Sequence, residues 1–202
     1  MSPNEIINLS RSVIQKEIEG ISSLKDQIDE RFAEAIDMLS KCKGHVLVTG
    51  AGTSNSIANR FAHLLSCCGT PALFIHPGDS QHGLSGAVTR KDVLVAISKG
   101  GETAEVNYLA KTSKNRKATV IAITENPNST LGKLGDVALI VKSPPDVDPY
   151  GMIATGSSII NAALCDALCV VLLKLKGYTI KEFGETHPGG AVGKKLAGSR
   201  SN

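Results

Sequence analysis

From residue 45 onward, short apolar runs alternate with longer segments of helical spacing. The apolar runs are rich in Val, Ile, Leu and Ala, and they predict strands at 45–49, 71–75, 93–97, 119–123 and 137–141. Between and after them, the spacing of apolar residues predicts helices at 54–67, 103–112, 128–134, 157–176 and 179–185. Apolar strands that alternate with helices are typical of βαβ units. We therefore expect an α/β domain with a parallel sheet and helices on both faces.

The segment that precedes this alternation is predicted to be helical. Between residues 4 and 41, apolar residues recur at helical spacing, and Gly20 with the serines after it is expected to divide the segment into two helices. We expect residues 1–42 to pack on the domain or on a neighbouring subunit. Residues 43–197 are expected to form the ligand-binding domain, and residues 198–202 a disordered tail.

The composition argues against several classes of function. Aromatic residues make up 3% of the chain and Trp is absent, so a surface that stacks single-stranded nucleic acid is not expected. The net charge is +3 with dispersed lysines and arginines, and no nucleic-acid partner is expected. The five cysteines show no zinc-type spacing, so no metal is expected. The start of the chain has no signal-peptide features, and its most apolar stretch, 159–175, contains Asn161, Asp166 and Lys174. We therefore expect a cytoplasmic protein with no membrane partner.

The segment that follows the strand predicted at 93–97 has the composition of an anion-binding turn. It consists of Ser98, Lys99, Gly100, Gly101, Glu102 and Thr103. The glycines let a ligand approach the backbone, and the hydroxyls and the N–H groups of the next helix can bind a phosphate. Glu102 has two interpretations: it acts in catalysis or binds a sugar hydroxyl, or its carboxylate is favoured at the helix start by the helix dipole.

A second glycine turn follows the first predicted strand. It contains Gly50, Gly52, Thr53, Ser54 and Asn55. Gly-x-Gly begins a dinucleotide fingerprint, but Asn55 stands in place of the third glycine and no acidic residue closes the next strand. The lysine of a Walker motif is also missing. The turn is suited to a sugar or a phosphate, and the alternative is a tight turn capped by Ser54.

A third loop, after the strand predicted at 71–75, contains two histidines and an aspartate. These are His76, Asp79 and His82, and their spacing matches no common zinc pattern. His82 is a candidate for proton transfer or sugar binding. The alternative is a solvated or cap-forming histidine.

Together, these loops resemble the SIS (sugar isomerase) domain family. The resemblance rests on Gly-x-Gly-Thr-Ser at 50–54 and Ile-Ser-x-x-Gly-Glu-Thr at 97–103. Three further segments resemble an arabinose-5-phosphate isomerase-like branch: His-Pro-Gly…His-Gly at 76–83, Pro-x-Gly…Thr-x-Ser at 149–157, and His-Pro-Gly-Gly-Ala-x-Gly-x-Lys-Leu at 187–196. The last of these is the most specific, and the resemblance covers residues 10–197.

The resemblance implies a three-layer α/β/α sandwich with a five-stranded parallel sheet, flavodoxin-like in type. It also implies interconversion of ketose and aldose phosphates through an enediol, so no cofactor is expected. Members of the family are usually dimers or tetramers with sites shared between subunits, and His187 would then enter a neighbour's site. The branch often continues into a pair of CBS domains. Because the chain ends soon after Leu196, we expect that pair to be absent.

The chain departs from the branch at four positions. Thr53 stands where the branch has a lysine, and Leu84 stands where it often has an aspartate. Asp146 takes the place of a glutamate, and Lys99 lies where Asn, Gln or Ser is more frequent. These departures leave open which sugar is bound.

Residue chemistry and the resemblance together assign the candidate roles. The phosphate is expected to contact Gly52, Thr53, Ser54, Ser98, Lys99, Gly100, Gly101 and Thr103. Acid–base work is expected from Glu102 and His187, with Asp146 and His82 as further candidates. Lys99 either supplies the charge missing at position 53 or is a solvated loop lysine.

Two other functions remain open from the sequence. One is a non-catalytic sugar-phosphate sensor, which the missing lysine and aspartate favour and which Glu102 and His187 oppose. The other is a lyase acting on a phosphorylated amino sugar, which ranks last because its additional acidic motifs are not evident.

Overall fold

Five strands form one parallel sheet, as the apolar runs predict. The computed structural model describes residues 1–144 and 148–198. The strands are β1 (Val46–Gly50), β2 (Ala72–Phe74), β3 (Val93–Ile97), β4 (Thr119–Thr124) and β5 (Val137–Ile140). They lie in the order β2-β1-β3-β4-β5, and every pairing is parallel. This is the flavodoxin-like strand order, and the predicted fold class is confirmed.

Helices cover both faces of the sheet. They are α1 (Pro3–Leu24), α2 (Glu30–Ser40), α3 (Thr53–Cys67), α4 (Pro77–Ser80), α5 (Ala104–Asn115), α6 (Thr130–Leu134), α7 (Gly156–Lys176), α8 (Ile180–Thr186) and α9 (Gly190–Gly198). On one face, α3 and α7 bury Phe61 and Leu164 against Val48 of β1. On the other face, α5 and α6 bury Leu109 and Leu131 with the alternate residues of the strands. The result is the three-layer α/β/α sandwich that was predicted.

The central strands β1 and β3 determine where a ligand site can form. Both are buried along their whole length, and their register pairs Gly50 with Ile97, so they end at the same level. The chain then continues into α3 on one face and into α5 on the other. Ligands in parallel α/β sheets bind at such a switch point, beyond the carboxyl ends of the strands. The two glycine turns of the sequence flank it.

The first segment forms two helices, as predicted, but the break between them does not lie at Gly20. Helix α1 runs through Gly20 and ends at Leu24, and a 3₁₀ turn at Lys25–Gln27 separates it from α2. Gly20 is buried, and a Cβ there would lie 2.9 Å from the Cδ1 atom of Ile160 on α7. The glycine therefore allows α1 to approach α7 closely rather than ending the helix.

One side of helix α7 is buried in the core. In the described part of the chain it alone has the length and hydropathy that a membrane-crossing helix needs. Its buried residues include Ile160, Leu164 and Leu168, and its Asp166 forms a two-point ion pair with Arg60 of α3, with N–O distances of 2.7 and 3.0 Å. Packing against α1, α2 and α3 accounts for the buried side of α7, whereas Val170, Val171 and Leu175 on its other side are exposed.

Two short helices were not predicted. Helix α4 lies in the histidine loop, and α9 ends at Gly198, which was expected in the disordered tail. The remainder of that tail, residues 199–202, lies outside the described residues.

Candidate functional site

The first and last side chains of residues 98–103, which we call the phosphate loop, are hydrogen-bonded to each other. The Oγ atom of Ser98 lies 3.0 Å from the Oγ1 atom of Thr103, and the N–H of Gly101 donates to the carbonyl of Ser98 at 3.1 Å. Thr103 is the N-cap residue of α5, yet its side chain makes no capping hydrogen bond. The first N–H groups of a helix have no acceptor within that helix. Two hydroxyls and a set of N–H donors therefore meet at one end of the loop.

The end of β4 and the residues after it support the backbone of the phosphate loop. The carbonyl of Lys99 accepts hydrogen bonds from the Oγ1 atom of Thr124 at 3.0 Å and from the N–H of Glu125 at 2.9 Å. Gly101 has a φ of +72°, and a Cβ there would lie 2.0 Å from the Oγ atom of Ser129. Only glycine fits this position. The supporting residues were not singled out from the sequence, although their place after β4 puts them at the same edge of the sheet.

The first glycine turn brings a second helix start to the switch point. Gly52, with a φ of +60°, caps α3, and nothing lies within 4 Å of where its Cβ would be. Thr53 is exposed as the first residue of the helix, and Ser54 is half-buried behind it. At Gly50 a Cβ would lie 2.7 Å from the carbonyl oxygen of Ser54, so this position also requires glycine. The positive ends of α3 and α5 thus face one crevice, which favours an anion.

Two buried amide oxygens lie at these helix starts without a protein partner. Within the described residues, the Oδ1 atoms of Asn55 in α3 and Asn107 in α5 accept no hydrogen bond. The amide nitrogen of Asn107 is engaged, since it donates to the carbonyl of Gly101 at 3.1 Å. Buried polar atoms are nearly always paired.

Glu102 has a structural partner. Its two carboxylate oxygens accept hydrogen bonds from the N–H and the hydroxyl of Thr130, at 2.8 and 2.7 Å. Thr130 is the first residue of α6, so Glu102 stabilises the start of that helix. The Thr130 hydroxyl and N–H bonds, assisted by the charge of Lys133, hold the pKa of the exposed Glu102 carboxyl below its usual value. A low pKa keeps Glu102 ionised but makes it a weaker base near neutral pH.

His187 lies at the end of α8 and contacts residues of its own helix. Its ring stacks on Phe183, with centroids 3.8 Å apart, and its Nδ1 atom lies 2.9 Å from the carbonyl oxygen of Phe183. The Oγ1 atom of Thr186 lies 3.0 Å from the same nitrogen, and donation to the Phe183 carbonyl, which can only accept, assigns the proton of the neutral ring to Nδ1. In the neutral ring, Nε2 is then the nitrogen with a free lone pair, as a general base requires.

The other candidate residues are less organised. His82 is exposed, and it is His76 that acts as a cap, because its Nδ1 atom accepts from the N–H of Asp79 at 3.4 Å. Lys99 is half-buried within the phosphate loop. Asp146 lies outside the described residues. Within the described ranges, no group of three or more His, Cys, Asp or Glu side chains is arranged to hold a metal ion.

The SIS domain family model matches residues 38–171 of the chain, which include β1 to β5 and both glycine turns. The chain belongs to the SIS domain family.

Curated relatives of this SIS domain include arabinose 5-phosphate isomerases. The KdsD protein of Yersinia pestis is 39% identical over 186 residues, which is 92% of this chain and 57% of that protein. The chain therefore spans little more than half the length of the curated relatives it matches.

Solved structures of similar length share the fold. One from Listeria monocytogenes has a TM-score of 0.91 and 34% identity, and covers 94% of this chain and 100% of its own. The c3406 protein of Escherichia coli CFT073 was solved in complex with arabinose 5-phosphate. It has a TM-score of 0.90 and 30% identity, and the match covers 93% of this chain and 100% of that one.

Gly101 and its neighbour Gly100 provide a matched test of the phosphate loop. We expect Gly101→Ala to destabilise the protein by about 1–3 kcal/mol, because it strains a left-handed residue and meets Ser129. Gly100→Ala meets no atom within 4 Å, so the same change there is expected to leave stability nearly unaltered. Urea unfolding at one protein concentration measures both. Equal losses in the two variants would contradict the role given to Gly101.

The bonds from Thr130 also predict how Glu102 titrates. The folded-state pKa of Glu102 is lowered, so the stability it contributes is present above its ordinary value of 4.5 and is lost as the pH falls through the folded-state pKa. We expect Thr130→Val to raise the pKa of Glu102 toward that ordinary value. Carbon-detected NMR of the Glu102 carboxyl over an acid titration measures the change, with Thr112→Val on α5 as the control. An unchanged titration in Thr130→Val would show that Thr130 does not hold this carboxylate.

Proposed function

We propose that this SIS domain is a phosphosugar isomerase that interconverts an aldose phosphate and its ketose phosphate, with arabinose 5-phosphate as the first substrate to test. The observation that carries the proposal is the pair of glycine turns at the switch point, where the starts of α3 and α5 face one crevice. The named activity of the curated relatives and the arabinose 5-phosphate bound to a neighbour of 30% identity support it.

The phosphate group is assigned to the phosphate loop and to the start of α3. Ser98 and Thr103 supply hydroxyls, Gly100 and Gly101 supply backbone, and Gly52, Thr53 and Ser54 supply the second helix start. Lys99 adds positive charge to the phosphate loop, and position 53 lacks the lysine of the arabinose-5-phosphate isomerase-like branch. Fixing the phosphate at one end of the sugar restricts where its first two carbons can lie.

The chemical step needs a base and an acid but no net oxidation. In the open-chain aldose, a base takes the proton from C2 while O1 gains a proton, which gives the enediol. Return of a proton to C1 and loss of the O2 proton then give the ketose. The Nε2 atom of His187 has the free lone pair for such transfers, and each acid–base role is worth about 10²–10⁴ in rate. Glu102 is assigned to the same work or to a sugar hydroxyl, with Asp146 and His82 as further candidates.

The position of α8 favours a site that two chains share. A Cβ at Gly69 would lie 2.3 Å from the ring of Tyr178, so α7 ends near the start of β2, at the amino edge of the sheet. The seven residues of α8 then span about 10 Å, whereas a five-residue strand such as β3 spans about 16 Å. His187 therefore falls short of its own phosphate loop. We infer that it enters the site of a second chain, in a homodimer or homotetramer.

A sugar-phosphate sensor is the second candidate function. The observation that favours it is the engagement of Glu102 by Thr130, which uses both carboxylate oxygens and lowers the pKa. The expectations of a cytoplasmic location and of no nucleic-acid or membrane partner stay predictions from the sequence.

Turnover separates the two functions. We expect the protein to convert arabinose 5-phosphate to ribulose 5-phosphate, and to exchange deuterium from D₂O into C2 of recovered aldose, which proton NMR detects. Glu102→Gln and His187→Ala are expected to lower kcat by a factor of about 10²–10⁴. His45→Ala, an exposed histidine at the amino edge, is the control. Melting-temperature shifts with pentose and hexose phosphates but turnover of none would favour the sensor, and near-normal rates in both site variants would remove these acid–base assignments.

Subunit mixing tests the shared site. His187→Ala and the double variant Ser98→Ala/Thr103→Val are each expected to have little activity. Their mixture is expected to recover about a quarter of the wild-type rate, since random pairing makes half of the dimers mixed and each mixed dimer has one intact site. The measurement is the rate after partial denaturation and refolding together. No recovery would show that His187 serves its own chain.

A further inference from the structure

A second cluster of positive charge lies at the amino edge of the sheet, opposite the phosphate loop. An open cavity of about 400 Å³ is bounded there by the end of α2 and by the starts of β1, β3 and β4. We call it the basal cleft and define it by its charged residues Asp37, Lys41, Lys43, Arg90, Lys91 and Asp92. The function proposed above makes no use of it.

Both carboxylates of the basal cleft are already engaged by the protein. Asp92 is buried, and its oxygens accept from the N–H of His45 at 2.8 Å and from the N–H of Thr89 at 2.6 Å. Asp37 forms an ion pair with Lys41 at 2.8 Å, one turn further along α2. Hydrogen bonds from N–H groups do not cancel the charge of Asp92, so the four cations and two carboxylates of the cleft leave a net charge of +2.

Three cations of the cleft lie outside the Asp37–Lys41 ion pair: Lys43, Arg90 and Lys91. All three are exposed, and within residues 1–144 and 148–198 none forms an ion pair. The parallel pairing of β1 with β3 starts at Val46 and Val93, so the loops that carry these cations precede neighbouring strands. Lys41 is explained by its ion pair and by the negative end of α2. In the described part of the chain, neither an ion pair nor a helix end accounts for Arg90 and Lys91, which precede β3.

The backbone of the basal cleft is fixed. The N–H of Gly44 donates to the carbonyl of Lys91 at 2.8 Å, and a Cβ at Gly44 would lie 2.1 Å from the Oδ1 atom of Asp92. This contact holds the two cationic loops next to each other with the Asp92 carboxylate between them, and the net positive charge that remains favours a further anion in the cleft.

We propose that the basal cleft binds a small phosphate-bearing anion, one per chain, at a site separate from the phosphate loop. The remaining lining includes the apolar side chains of Met38 and Val93, which suit a neutral body attached to the phosphate. Ligand sites range over about 300–1,000 Å³, so the cavity fits a small metabolite and not a polymer. The length of β3, about 16 Å, separates the cleft from Ser98.

Titration calorimetry with inorganic pyrophosphate at constant ionic strength tests the proposal. We expect wild-type protein to bind pyrophosphate at the basal cleft as well as at the phosphate loop, in two classes of site. Lys43→Gln/Arg90→Gln/Lys91→Gln is expected to weaken one class by about tenfold or more and to leave the other. Ser98→Ala/Thr103→Val is expected to do the reverse. Circular dichroism checks that each variant is folded, and Lys91→Gln alone is the milder substitute.

Lys16→Gln/Lys25→Gln/Lys111→Gln removes the same charge from exposed positions elsewhere and is expected to retain both classes. The proposal is overturned if the cleft variant binds pyrophosphate as wild type does, if the control variant weakens binding equally, or if the only class present is lost with the phosphate loop. If the only class is instead lost with the cleft variant, the basal cleft stands and the phosphate assignment of the proposed function fails.

Discussion

The parallel pairing of β1 with β3 is the constraint on which the rest of the structure depends. Because Gly50 pairs with Ile97, both strands end at one level, and the chain leaves them toward opposite faces. The starts of α3 and α5 then lie side by side, and their partial positive charges act on the same anion. Neither glycine turn alone has this property, since a single helix start is a weak site. The same register aligns the other ends of the two strands, so the loops that carry the cations of the basal cleft precede neighbouring strands.

Backbone contacts fix the phosphate loop before any ligand arrives. The Thr124 hydroxyl donates to the carbonyl of Lys99, and Gly101, in a left-handed conformation, lies so close to Ser129 that no side chain fits there. A loop held in this way loses little entropy when it binds, so more of the contact energy can be used to place the sugar. For Glu102, this rigidity has a consequence for acid–base chemistry. Its hydrogen bonds to Thr130 join the phosphate loop to α6, and the same bonds lower the basicity of its carboxylate.

Sequence periodicity is sufficient for the strands because a buried parallel strand has to be apolar along its length, as Val93–Ile97 is. Local propensity misled at Gly20, where a tertiary contact with Ile160 and not the backbone sets the residue type. The two meanings of Glu102 could not be separated from the sequence, since its partner Thr130 is distant along the chain and is brought near by the pairing of β3 with β4. The proton on Nδ1 of His187 likewise depends on a carbonyl that only the end of α8 supplies. The basal cleft could not be predicted from the sequence either, because it depends on the pairing of β1 with β3, which the residue pattern does not give.

If His187 completes a neighbour's site, association between chains is part of the catalytic apparatus and not only of stability. The surface offers a means for it. Helix α1 exposes Ile6, Ile14 and Ile18, each by half or more, and α7 exposes Val170 by 62%. Covering apolar side chains of this kind favours association at about 25 cal/mol per Å². Association of chains is what a site shared between them requires. The apolar stripe of the first helix, which the central fold does not need, then has the same purpose as the histidine at the far end of the chain.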